Sequence, residues 1–336
     1  MRRYGKHTDE DDIRSRPNAK GNRPRTNIRP KHEDAAGGMV VTVDRGRLTV
    51  LVEDRTVMAM KARELGRKAA VVGDRVALVG DMSGKKDTLA RIVRIEKRTS
   101  VLRRTADDDD PYERVVVANA DQLAVVTALP DPEPRPRMID RCLVAAFDGG
   151  LTPLLVLTKS DLAPPDRLLE LYGDLDIPYV VTSRAELESG AAVARVREQL
   201  DGKITAFVGH SGVGKTTLVN ALVPEELRRT TGHVNAVTGR GRHTTTSALA
   251  LPLSGGQGWV VDTPGVRSFG LHHVDPSRVI QAFPDLEPGT EGCPRGCGHD
   301  EPECALDAWV AEGHADPQRL YSLRRLLATR ERTEGD

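Results

Sequence analysis

Residues 204 to 223 read ITAFVGHSGVGKTTLVNALV: an apolar run, a glycine-rich turn and an amphipathic stretch in immediate succession. The turn, Gly209-His210-Ser211-Gly212-Val213-Gly214-Lys215-Thr216, has the spacing of a phosphate-binding loop, and its flanks predict the strand before it and the helix after it that such a loop requires. Glycines let consecutive backbone N–H groups turn inward on an anion, and the positive end of the following helix points at the same place. Lys215 suits the β and γ oxygens, Thr216 offers a hydroxyl to a magnesium ion, and Thr217 completes the nucleotide-facing set. The bland alternative, a glycine-rich turn ahead of an ordinary helix, is disfavoured by the complete motif in its required context.

Downstream, Asp262-Thr-Pro-Gly265 follows the apolar run WVV. There Asp262 can hold magnesium through water and the Gly265 amide can sense a γ-phosphate. Upstream, Thr158-Lys159-Ser160-Asp161 follows PLLVL and resembles the guanine-specifying NKxD motif. In that motif the Asp carboxylate accepts from the ring N–H and amino group of guanine while the Lys stem covers the base. Thr158 stands where the motif has Asn, so the amide that ties this loop to its surroundings is expected to be lost, with a cost to affinity. Thr182 and Ser183, in VTSR after IPYV, resemble the last guanine loop, whose backbone amide touches the base oxygen. The guanine loops thus precede the phosphate loop, and the motifs are circularly permuted. A doubly wound sheet builds its site from loops at the carboxyl ends of its strands, so re-threading the chain leaves such a site intact.

At 336 residues the chain predicts several domains, each with its own core. Residues 1–36 carry ten Lys or Arg and six acids with almost no apolar groups, and are expected to be a disordered basic arm. Short alternating runs over 37–104 predict a small β-barrel of the oligonucleotide-binding (OB) type, with RNA contact or a plain scaffold both open. The run Asp107 to Asp110 is expected to be a solvated linker. Strands alternating with helical stretches over 112–272 predict a central α/β domain with a parallel sheet covered on both faces. A mainly α module is expected over 273–336. The formal charge of +0 excludes a case for nucleic-acid binding from bulk electrostatics. No apolar run is long enough to span a bilayer and the N-terminus has no apolar signal core, so a cytoplasmic location without membrane association is expected.

Cys293-x3-Cys297-x-His299-x4-Cys304 offers three thiolates and an imidazole for tetrahedral zinc, with a redox or disulfide pair as the alternative. Four protein ligands would make the site closed and structural. The remaining cysteine, Cys142, reads as a small buried hydrophobe. Gly255-Gly-Gln-Gly258 reads as a hairpin turn rather than a second phosphate site.

A β-barrel, a permuted GTPase and a Cys3His module in this order resemble the ribosome small subunit-dependent GTPase A family. The resemblance covers about 37 to 330. It is carried by ANADQLAVV (118 to 126), TKSD, GHSGVGKTTLVNAL, GRHTTT (241 to 246), DTPGVRSFGL and the Cys/His cluster. It implies a slow GTPase, binding GTP or GDP with magnesium and one structural zinc. The small (30S) ribosomal subunit and its rRNA would stimulate it, and it would act late in that subunit's maturation. Ras-like GTPases orient the attacking water with a Gln just after the DxxG glycine, where this chain has Val266. The resemblance implies His243 as the substitute, with Thr245 closing on magnesium and γ-phosphate. The first and last gaps of the Cys/His cluster are each one residue shorter than the family pattern. Three alternatives remain open from the residues: a nucleotide-gated RNA-binding adaptor with negligible turnover, a permuted GTPase serving another assembly target, and an ATPase or small-molecule kinase. No heptad or apolar stripe suggests anything other than a monomer.

Overall fold

The computed structural model describes residues 32–66, 69–104, 114–228, 248–263, 269, 271 and 274–329. His243, Thr245, Gly265 and Val266, the acidic run, and nearly all of the basic arm lie outside the described residues. The chain divides into two units at Asp34/Ala35, and every element below belongs to the second.

Five strands come first: β1 (Ala36–Asp44), β2 (Arg47–Val52), β3 (Arg55–Lys61), β4 (Arg75–Val79) and β5 (Ala90–Ile95). Alternation of apolar and polar residues gives each an inner face, and pairing runs β1–β2–β3–β5–β4 and back to β1. That closed order is the OB-fold barrel, with its own core of Val40, Val50, Val57, Leu78 and Ile92 among others.

β6 (Val101–Arg104) and β7 (Arg114–Ala118) form a separate two-stranded ribbon. Its inner residues Leu102 and Val117 pack into the core of the following α/β layer rather than into the barrel. The boundary expected between 104 and 112 therefore lies within a pair of hydrogen-bonded strands.

The central sheet contains β8 (Gln122–Ala128), β9 (Thr152–Thr158), β10 (Tyr179–Val181), β11 (Lys203–Val208), β12 (Leu249–Pro252) and β13 (Gly258–Asp262), in the order β10–β9–β8–β11–β13–β12. All neighbours are parallel except β12 with β13, which form a hairpin closed by the glycine-rich turn at 255–258. Strand order reverses between β8 and β11, and that is where an open α/β sheet offers a crevice at its carboxyl edge.

Each strand alternates between two cores. Ala124, Val126 and Phe207 face α4 (Ala191–Leu200) and α5 (Lys215–Leu222), whereas Leu123, Val125 and Val208 face α1 (Pro136–Gly149) and α2 (Asp166–Tyr172). A short α3 (Arg184–Glu188) links β10 to α4.

Barrel and sheet meet through β1 and β12, which pair at Thr42 and Leu249. They also meet through a polar clasp at Asn119. Its side chain accepts from the Thr99 amide and donates to the Gly73 carbonyl, both at 2.9 Å. Beside it Asp74, fully buried, holds Arg98 through two bonds of 2.8 and 2.9 Å. Gly73 has φ +87°, and a Cβ there would collide with the Ala118 carbonyl, so only glycine allows this approach.

The C-terminal helices are α6 (Pro276–Ile280), α7 (Ala305–Ala311) and α8 (Pro317–Ala328). Among the described residues they have no separate core: Phe283, Leu306, Leu323 and Leu326 join the cluster beneath α1. Helices of five, seven and twelve residues expose too much surface to stand alone. Docking on α1 buries large side chains, each contributing about 1.5–3 kcal/mol.

Candidate functional site

The phosphate-loop residues sit between β11 and α5, at the point where strand order reverses. Gly212 and Gly214 have φ +87° and +91°, a backbone shape that would strain other residues. Gly209 is required for a different reason, since a Cβ there would lie 2.5 Å from the Val126 carbonyl of β8. Lys215 reaches across to the buried carboxylate of Asp262 at the end of β13 and, at 3.4 Å, to the Thr263 carbonyl. Thr263 in turn donates to the Phe207 carbonyl at 2.6 Å, fixing the start of the DTPG segment against β11. Thr216 is half-buried on the first turn of α5, Thr217 is exposed, and the His210 ring lies 2.9 Å from the Ser211 carbonyl.

Thr158 ends β9 and Asp161 lies just beyond it, with Thr182 and Ser183 beyond β10, at the same edge of the sheet. The loop ties expected to be missing at Thr158 are present in another form. Its hydroxyl donates to the Val213 carbonyl at 2.6 Å, so a hydroxyl joins this loop to the phosphate loop where the motif has an amide. A hydroxyl reaches because β9 and β11 flank β8 and bring the two loops close. The guanine loops also brace each other: Ser160 donates its amide to the Thr182 carbonyl at 3.1 Å, and Arg184 donates its amide to Asp161 Oδ1 at 3.1 Å. Lys159, at φ +62°, contacts the Asp131 carbonyl through Nζ.

That last contact belongs to a loop absent from the sequence motifs. Residues 129–135, LPDPEPR, leave β8 at the reversal point. Leu129 donates to the Thr158 carbonyl at 3.0 Å, and Pro132 lies close over Gly212. Pro132, Glu133 and Arg135 line a small cavity with His210 and Val213. The available signal was position: a proline-rich loop at the carboxyl end of a central strand.

The second centre is the Cys/His cluster. Ligand atoms of Cys293, Cys297, His299 and Cys304 all lie within 4.8 Å of one another, and the cysteines are unpaired rather than in disulfides. Cys293 Sγ is 3.8 Å from His299 Nδ1 and 3.9 Å from Cys304 Sγ. Zinc–thiolate bonds of about 2.3 Å in a tetrahedron imply donor separations of about 3.8 Å, so the set fits zinc. Within the cluster the backbone is left-handed at Gly296 and His299, φ +77° and +69°.

Burial raises the Cys297 thiol to about 12 and raises Cys304, and it lowers His299, whose neutral form is the ligand. Backbone amides, that of Gly298 foremost, hold Glu301 down at about 2. From α8, Arg324 donates to the His299 carbonyl at 2.8 Å and to both oxygens of Asp307, gripping the knuckle from outside. Together these donors suit one closed structural zinc.

The C-terminal helices are bolted to the sheet's helical face. Arg319 joins Asp285 at 2.6 Å and Asp176 at 2.8 Å, and Arg325 lies 3.4 Å from the buried Asp140 of α1, above the Tyr172 ring. Cys142 is fully buried on α1, with its thiol raised to about 12 by that burial. Among the described residues, no helix is long and apolar enough to cross a membrane.

The pattern of a protein family described as RsgA GTPase matches residues 95–272. Among curated relatives, the small ribosomal subunit biogenesis GTPase RsgA of Pseudomonas aeruginosa is 42% identical over 227 residues, 65% of this chain and 65% of the relative. The protein of the same name in Pseudomonas fluorescens is 41% identical over 240 residues, 69% and 68%. The match thus spans just under two thirds of the first of these relatives' own length. Among solved structures, YjeQ from Thermotoga maritima is similar with TM-score 0.62 and 27% identity, over 88% of this chain and 98% of that one. YloQ, a circularly permuted GTPase, has TM-score 0.62 at 20% identity, a likeness of fold, over 91% and 98%.

Proposed function

The chain belongs to the RsgA GTPase family, and from that premise we propose that it hydrolyses GTP to GDP and phosphate while bound to the small ribosomal subunit, in the late maturation of that subunit. The observation that carries the nucleotide part of this proposal is the Thr158–Val213 hydrogen bond, which joins a guanine loop to the phosphate loop in one crevice.

In this proposal Asp161 reads the base, Lys159 covers it, and the loop at Thr182–Ser183 turns amides toward its carbonyl oxygen. The amides from Gly209 to Thr216 bind the phosphates, with Lys215 moving from Asp262 to their oxygens. Thr216 and Asp262 would hold magnesium, which when bound neutralises charge developing on the phosphates. His243 orients water, Thr245 closes over the γ-phosphate and Gly265 senses it. Zinc held by the Cys3His set shapes the C-terminal module. The barrel and basic segments contact rRNA, and binding therefore weakens with added salt.

The deciding experiment is cosedimentation with small subunits under GDP and under a non-hydrolysable GTP analogue, paired with GTP turnover with and without subunits. Tighter binding with the analogue and faster turnover with subunits are expected. Nucleotide-dependent binding without stimulated turnover would favour the adaptor alternative, and stimulation by large subunits alone would redirect the assembly target.

A further inference from the structure

Of the four residues offered to a metal, His299 and Cys304 are the buried pair, at 6% and 4% exposure. His299 Nδ1 lies 3.8 Å from Cys293 Sγ and 4.0 Å from Cys304 Sγ, so Nδ1 is the ring nitrogen that faces the other donors. An imidazole meets a metal only along the in-plane direction of that nitrogen, so the backbone that aims the ring has to be held. That backbone is in the left-handed region, φ +69°, where a residue with a Cβ is under strain.

Both backbone groups of His299 are held. Its amide donates to Cys297 Sγ at 3.4 Å, inside the cluster. Its carbonyl accepts from Arg324 Nε at 2.8 Å, from α8 outside the cluster. The other two nitrogens of that guanidinium, Nη1 and Nη2, donate to Asp307 Oδ1 at 2.8 Å and to Oδ2 at 2.7 Å. Asp307 lies in the first turn of α7, the helix that begins directly after Cys304. One planar fork therefore spans the backbone of one ligand residue and the helix that starts at another.

We propose that Arg324 is a positioning residue for the metal: it keeps His299 Nδ1 beside Cys304 Sγ at a spacing that suits a tetrahedral zinc ion, and so sets the affinity of the cluster from outside it. This rests on the zinc reading of the Cys3His set. The guanidinium is paired with Asp307, so its charge is already balanced and what it supplies is shape. A lysine at 324 would bring one nitrogen, which cannot hold a backbone carbonyl and both oxygens of a carboxylate in those places. The fork also stands on a firm base. Leu323 and Leu326 of α8 are fully buried in the core beneath α1, and the next residue, Arg325, donates to the Leu171 carbonyl at 3.1 Å.

The test uses the full chain and reads metal affinity rather than turnover. Zinc and cobalt are titrated into metal-free protein in competition with a chromophoric chelator, and the visible spectrum of the cobalt complex is recorded alongside. R324M should weaken zinc by about 10- to 100-fold, the usual cost of losing a partner that orients a ligand. Its cobalt complex should lose intensity in the bands that report a tetrahedral site, a change that a destabilised chain with an intact site would not show. D307A keeps the guanidinium but frees the fork, and should weaken zinc in the same direction. R324K keeps the charge and should recover little of the loss. R325M, which loosens α8 without touching the Cys/His cluster, should keep the wild-type cobalt spectrum.

Wild-type zinc affinity in R324M would overturn the proposal. So would full recovery in R324K, which would make charge and not the fork the cause. An equal weakening in R324M and R325M with both cobalt spectra unchanged would assign the effect to a loosened α8, and would overturn it as well. A wild-type chain that binds neither zinc nor cobalt would instead overturn the zinc reading, and this proposal with it, before any variant is compared.

Discussion

The hydroxyl of Thr158 lies 2.6 Å from the carbonyl oxygen of Val213, 55 residues further along the chain. Thr158 is buried, and its hydroxyl has one hydrogen to give. The Thr127 carbonyl is also near, at 3.3 Å, so the shorter contact with Val213 takes the proton. This one bond fixes the spacing between the loop proposed to read the base and the loop proposed to hold the phosphates.

T158V therefore leaves a buried carbonyl without its donor at a cost of about 1–3 kcal/mol. GDP affinity should fall about tenfold, and T158S, which keeps the hydroxyl, should stay near wild type. Titration of the two variants decides it, and equal affinity for T158V and wild type would show that the bond does not organise the site.

Lys215 forms an ion pair with Asp262. D262N should release the lysine, so that GDP binding without magnesium is retained or improved, while the gain in affinity from adding magnesium shrinks. K215A should abolish binding under either condition. Nucleotide titrations with and without magnesium separate the two effects, and a full magnesium response in D262N would remove Asp262 from the metal's surroundings.

His243 is proposed to orient the attacking water. H243A should lower GTP turnover by at least about tenfold and leave GDP affinity nearly unchanged. Single-turnover hydrolysis measures this directly, and wild-type rates in H243A would exclude the role.

Metal analysis of protein purified without chelator should return one zinc per chain. C304S should lower the thermal midpoint, because Cys304 stands at the start of α7 within the metal-fitting set and packs in the same core as Leu306 and Leu323. A zinc-free chain with an unchanged midpoint would count against a structural role.

R325M removes the guanidinium 3.4 Å from the buried Asp140. Burial holds the Asp140 carboxyl above its ordinary value of 3.8, and Arg325 partly offsets that. Below 3.8 both folded and unfolded chains carry the proton and Asp140 costs nothing. Between 3.8 and the raised folded value the unfolded chain gives up the proton while the folded chain keeps it, so the cost grows with pH and levels off once the folded carboxyl ionises. The destabilisation of R325M should therefore be about 3–5 kcal/mol near neutrality and shrink in acid. D140N/R325M should recover part of it. Denaturant unfolding of both variants at pH 4 and pH 7 provides the check.

Much of this was legible in order along the chain. Alternating runs identified the barrel, and continuous apolar runs identified the parallel strands. The phosphate loop, the DTPG segment and the Cys/His spacing each consist of residues close together in sequence, so their chemistry follows from spacing alone. Three things were not legible. LPDPEPR carries no motif and joins the site only because β8 ends beside β11. Arg324 is one basic residue among several in an Arg-rich helix until α8 folds back on His299. For the C-terminal helices, the amphipathic pattern says only that one face is buried and does not name its partner.

By itself, then, the sequence marked the loops proposed to bind phosphate, base and metal, and showed that the order of the motifs is permuted. Those properties reside in residue types at fixed short spacings. Tertiary structure alone decided that Thr158 replaces the expected amide tie, that the zinc-fitting knuckle shares a core with α1, and that barrel and sheet join through β1 and β12. Each of these is a contact between residues tens to hundreds of positions apart. Such contacts depend on which apolar faces find one another when the chain closes, and no local pattern records that choice.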